Sequence, residues 1–69
     1  MNCFAVWTIT PNKQIRVFPY SPNGDDRLRA RKLAIDFADD QHANGHPCTV
    51  EMFHMCDVGI LVYNSNLRG

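Results

Sequence analysis

Asp26-Arg27-Leu28-Arg29-Ala30-Arg31-Lys32-Leu33-Ala34-Ile35-Asp36-Phe37-Ala38-Asp39-Asp40-Gln41-His42-Ala43 is the stretch on which the fold turns. Ala30, Leu33, Ala34, Phe37, Ala38 and Gln41 recur at three- and four-residue spacing, with Leu28 and Ile35 flanking, while Arg29, Lys32, Asp36, Asp39 and Asp40 gather opposite. That period predicts one amphipathic helix from about Asp26 to Ala43. Ser21-Pro22-Asn23-Gly24 breaks the chain before it, and Asn23 or Asp25 can cap its start. Asn44-Gly45 supplies a left-handed stop, and Pro47 lies just beyond.

On either side of this helix the period falls to two. Cys3-Phe4-Ala5-Val6-Trp7-Thr8-Ile9-Thr10 is rich in aromatic and β-branched residues, and Gln14-Ile15-Arg16-Val17-Phe18-Pro19-Tyr20 alternates. Pro11-Asn12 between them makes a turn, so the two runs form an antiparallel hairpin. Pro19 cannot donate to a ladder and belongs at an edge or an exit. After the helix, Cys48–Met55 and Ile60–Tyr63 read as a third and a fourth strand around the Asp57-Val58-Gly59 turn. The expected architecture is one α+β domain over residues 1–69, in the order β-β-α-β-β. A four-stranded, mainly antiparallel sheet carries the helix on one face. Leu33, Ala34, Phe37, Val17, Val50 and Val62 are expected to be buried together, with Trp7 partly so.

Composition narrows the class. The chain has 69 residues, 45% of them hydrophobic, with seven basic and seven acidic side chains. Disorder and a general polyanion binder are disfavoured, because the charge balances and the pI is near 6.8. No glycine period, heptad run or long apolar stretch is present, which excludes collagen, coiled-coil and membrane-spanning classes. The start Met1-Asn2-Cys3-Phe4 has no charged segment with an apolar run behind it. Cys3, Cys48 and Cys56 cannot all pair within one chain, so reduced thiols in a cytosol are expected, without a disulfide.

Three constellations bear on chemistry. Arg27, Arg29, Arg31 and Lys32 occupy the first half of the helix and Asp36, Asp39 and Asp40 the second. The macrodipole favours the reverse order, although Asp25 and Asp26 offset the start and Lys32 with Asp36 forms an i,i+4 pair. A solvated face with spare charges accounts for the cluster on structural grounds alone. A functional account makes it a basic patch for phosphates or an acidic protein surface, for which arginine's bidentate fork is suited.

The second constellation is His42, His46, Cys48, His54 and Cys56. No C-x-x-C pair is present, and Asn44-Gly45 interrupts the His42–His46 spacing, so neither zinc nor any cofactor is expected. His46 and His54 could serve a small hydrolase as acid and base, but nothing marks an oxyanion hole or a phosphate-binding loop. The chain is therefore expected not to be an enzyme.

The third is the sheet face that one helix cannot cover. With Ile15, Val17, Val50 and Met52 toward the helix, Arg16, Phe18, Tyr20, Glu51, Phe53 and Met55 fall on the open face. That mixture of aromatics, Met and Arg is the composition of a protein interface or a base-stacking platform.

The element order, the small size, the helix segment Ala30-Arg31-Lys32-Leu33-Ala34, and Gly45-His46-Pro47-Cys48-Thr49-Val50 leading to Gly59-Ile60-Leu61-Val62-Tyr63 resemble small phage-encoded anti-CRISPR proteins. The likeness is to inhibitors of type I surveillance complexes, and it is one of architecture, with no shared active-site motif to carry over. It implies a phage protein in the host cytosol that binds a Cas protein or ribonucleoprotein and blocks it by occupation. Arg27, Arg29, Arg31, Lys32, Arg16, Phe18 and Tyr20 are the expected contacts. A nucleic-acid-binding module using Arg27–Lys32 beside Phe18 and Tyr20 is the alternative. A metal-binding or hydrolytic domain on His46, Cys48, His54 and Cys56 is a third, and a homodimer is compatible with each.

Overall fold

A computed structural model describes residues 2–67. Four strands, β1 (Cys3–Thr8), β2 (Lys13–Pro19), β3 (Cys48–Phe53) and β4 (Ile60–Asn64), form one open antiparallel sheet in the order β2-β1-β3-β4. One helix, α1 (Arg27–Ala43), joins the two hairpins and lies over one face. A short 3₁₀ turn at Ser65–Leu67 follows β4. The β-β-α-β-β α+β architecture expected from the periodicity is the one observed. No described helix is long and apolar enough to cross a membrane.

The helix approaches the sheet on alanine. Ala30, Ala34 and Ala38, spaced by four, are buried against Phe4, Val6, Cys48 and Val50 from the two central strands, with Tyr20 closing one end. Small side chains let the backbone sit close, and the sheet supplies the volume. Val50 and Ala34 are buried as expected, Phe37, Val17 and Val62 are half-buried, and Trp7 is partly covered. Leu33 is not buried: it is 48% exposed, because the alanine stripe turns its side of the helix to solvent.

The expected assignment of faces is corrected on β2. Phe18 lies opposite Phe4, and Arg16 opposite Val6, so both share the helix-covered face. The Phe18 ring meets Phe37 edge-on at 5.9 Å, and Tyr20 packs against Phe4 at 5.4 Å. Val17, opposite Ala5, takes the open face. Burying two aromatics removes more apolar surface from water than burying one valine. A bulge between Val6 and Trp7 leaves Ile15 as the extra residue, and it also reaches the core. On β3 the expectation holds: Val50 and Met52 join the core, and Glu51 and Phe53 lie on the open side near Gly59. Met55 falls beyond the strand, exposed, with φ of 57°.

Candidate interaction surface

The start of α1 is held from outside the helix. Asp26 occupies the N-cap position but makes no side-chain cap bond. Its Oδ1 instead accepts the Ser21 N–H at 2.7 Å and the Ser21 hydroxyl at 2.8 Å. These bonds to the ionised form hold the Asp26 carboxyl below the usual aspartate range, with the Arg29 charge adding to them. Asn23 and Asp25, the expected caps, bond to each other within the loop.

Beyond that cap, Arg27 and Arg31 are four residues apart on one flank, and Arg29 and Lys32 three apart on another. All are exposed. Lys32 pairs with Asp36 at 2.7 Å, which raises the lysine's pKa by hydrogen bond and charge. Among the described residues this is the one ion pair, so Arg27, Arg29 and Arg31 carry guanidinium groups with no carboxylate partner. Leu28, 77% exposed, and Leu33 stand among them. A shallow cleft of about 180 Å³ between Pro19 and the helix is lined by Asp26, Arg29, Ala30 and Leu33.

Arg16, Phe18 and Tyr20 are not an open platform. Arg16 lays its guanidinium over Phe18 at 5.0 Å and Phe37 at 5.5 Å, a cation–π arrangement on the rim of the covered face. Phe18 is half-buried beneath it, and Tyr20 is buried, which pushes its hydroxyl pKa up against the opposing effect of Arg27. The Tyr20 hydroxyl donates to the Phe53 carbonyl at 3.2 Å and lies 2.7 Å from His54 Nδ1, with the two rings stacked. Of the expected contact residues, the arginines on the helix and Arg16 remain reachable, whereas Tyr20 does not.

The His/Cys set is dispersed. His46 precedes β3 and His54 follows it, so the two histidines stand at opposite ends of the strand. Cys48 is buried, donates its thiol to the His46 carbonyl at 3.2 Å, and has its pKa raised by burial. Cys3 is likewise buried and raised, while Cys56 is exposed. No group of three or more His, Cys, Asp or Glu among the described residues converges to hold a metal ion.

A contact invisible to spacing joins His42 to Ser65, whose Oγ lies 2.8 Å from Nδ1 and accepts the Cys48 N–H at 2.9 Å. A hydroxyl can accept one bond and donate its own proton to the ring at once. Ser65 is 1% exposed, so this serine–histidine pair ties the 3₁₀ turn to the helix rather than presenting a nucleophile. On the open sheet face, Trp7, Asn12, Thr49, Glu51 and Leu61 line a depression of about 290 Å³. Comparison with protein families, curated proteins and solved structures finds no match to this chain.

Proposed function

We propose that this chain is a non-enzymatic binding protein that docks the outer face of the first half of α1 on an acidic surface of a larger assembly and blocks it by occupation. The observation that carries this reading is the exposed set Arg27, Arg29 and Arg31, none in an ion pair among the described residues, interleaved with exposed Leu28 and Leu33. Guanidinium groups around apolar side chains are the composition of an interface anchor. Charge steers the encounter, and desolvated arginine and leucine side chains hold the complex. Arg16, held over two rings, adds a fixed cation beside the helix. The architectural resemblance makes a type I CRISPR surveillance complex the target class, with the chain acting as a phage-type inhibitor.

Reversing Arg27, Arg29 and Arg31 to glutamate tests this. The expected result is loss of co-purification with the surveillance complex and of inhibition, with an unchanged circular dichroism spectrum. Full-strength inhibition by the folded triple variant would overturn the mechanism. The nucleic-acid reading rests on the same arginines and separates by salt: phosphate binding falls steeply with ionic strength, whereas an interface anchored on Leu28 and Leu33 falls much less. Replacing Leu28 by Ser, which removes the apolar anchor without adding charge, is therefore expected to weaken a protein complex strongly and leave nucleic-acid affinity nearly intact.

A further inference from the structure

The sheet has two unlike edges. The β2 edge carries Lys13, Arg16 and Pro19, two cations and a residue without an N–H, which are common guards against strand addition. The β4 edge carries no cation and no proline, and its one irregularity is a bulge at Val62. From Val58 to Leu67 the chain has ten consecutive residues without a charge, and β4 itself reads Ile60-Leu61-Val62-Tyr63-Asn64. Ile60 is 56% exposed and Leu61 58% exposed, with Val58 and Leu67 exposed on either side of the strand.

The placement of these side chains selects the kind of partner. Ile60 lies opposite Met52, on the helix-covered side, while Leu61 lies opposite Glu51, on the open side. A molecule stacked on one face would cover only one of them. A strand added in the plane of the sheet covers both, and gives the outward N–H and C=O groups of β4 their ladder partners.

From this the geometry points to a second copy of the chain, paired antiparallel β4 to β4 about a two-fold axis, as the occupant of this edge. An isologous contact sets each patch against itself, so it tolerates no net charge at its centre. Lys13 and Arg16 would repel their own copies at β2, whereas the uncharged run at β4 does not. Seven basic and seven acidic side chains leave the chain with no formal net charge, so no long-range repulsion separates two copies. The extra residue Val62, bulged opposite the Val50–Glu51 step and packed toward the core, interrupts the outer ladder. Pairing therefore centres on Ile60 and Leu61. A standard interface covers roughly 800 Å² per partner, less than a fifth of the 4552 Å² this chain exposes. Five strand residues fall short of that area alone, and the exposed Val58 just before the strand adds to the contact. None of the helix arginines takes part, so this contact stands apart from the proposed docking face.

Sedimentation equilibrium of the purified full chain from about 1 µM to about 1 mM covers weak to moderate association. The expected result is a concentration-dependent species of twice the 7.9 kDa chain mass. Leu61→Lys is expected to raise the dissociation constant at least about ten-fold, the effect of truncating one central anchor. Val58→Lys, outside every strand, reports on the same contact should the first variant fold poorly. Lys13→Ala, at the opposite edge, is expected to change nothing. A monomer across the whole range overturns the proposal, as does a dimer that both lysine variants leave intact while each stays folded by circular dichroism.

Discussion

The two ends of the helix are held in different ways. At its end, Gly45 at φ 89° donates to the His42 carbonyl at 2.9 Å and His46 to Gln41 at 2.9 Å, the paired bonds of a Schellman stop. Asn44 Nδ2 caps the Asp40 carbonyl, Tyr63 donates to Asp39, and His42 meets Ser65. At its start there is no side-chain cap within the helix, no acidic residue in the first turn, and three arginines in no ion pair among the described residues. One end spends its polar groups on the fold and the other leaves them facing outward. The side-chain anchors of α1 are therefore concentrated where it ends, and its exposed charge where it begins.

The largest effect should come from the locked end. Ser65→Ala removes the acceptor of the buried Cys48 N–H and the partner of His42, and an unsatisfied buried group costs about 1–3 kcal/mol. Urea unfolding should show that loss as a lower midpoint with an unchanged slope. A variant as stable as the parent would mean that the 3₁₀ turn does not anchor the helix. Gly45→Ala should follow, at about 1 kcal/mol, since the site has room for a methyl group but its positive φ disfavours one.

At the open end the expectation reverses. Replacing Arg27, Arg29 and Arg31 by glutamate should leave the melting temperature unchanged or slightly higher, because negative charge suits a helix start. A marked drop would show that these arginines support the fold, and the contrast between the two ends would fail. The smallest effect concerns Asp26, whose folded pKa is depressed by the Ser21 bonds. Its contribution is present above the unfolded aspartate pKa and is lost as pH falls through the lower folded value. Ser21→Ala keeps the N–H bond and removes only the hydroxyl's, so the Asp26 titration should move part of the way back toward the usual aspartate range, as followed by carboxyl NMR shifts.

Much of this was legible locally. The helix stop is written in Asn44-Gly45, and the element order follows from the change of period at Asp26 and again at Cys48. Alternation on β2 shows that Arg16, Phe18 and Tyr20 share a side, but it is silent on which side meets the helix. Ile15 with Val17 made an equally apolar alternative, and the bulge at Ile15 blurs the choice further. Leu33 was misplaced for a related reason. Alanine stripes carry little hydrophobic contrast, and the larger Leu33 beside them masks which side of the helix faces inward. The His42–Ser65 contact joins residues 23 positions apart, and no local spacing encodes it. On the candidate site, the unusual charge order of the helix is readable, whereas which of its cations find a carboxylate among the described residues depends on the tertiary fold.

The position of β1 has a consequence for how the chain matures. Thr8 pairs with Cys48 and Cys3 with Phe53, so the central strand finds its second neighbour only across the intervening helix. During synthesis the first hairpin emerges with its most apolar strand, Cys3-Phe4-Ala5-Val6-Trp7, bare along one side until β3 has left the ribosome. Contacts of such long sequence separation slow folding and prolong the exposure of sticky intermediates. The chain is thus most prone to aggregation in the stage when the first hairpin has formed and β3 has not yet paired with it. A chaperone acting on this protein would find its substrate in that interval.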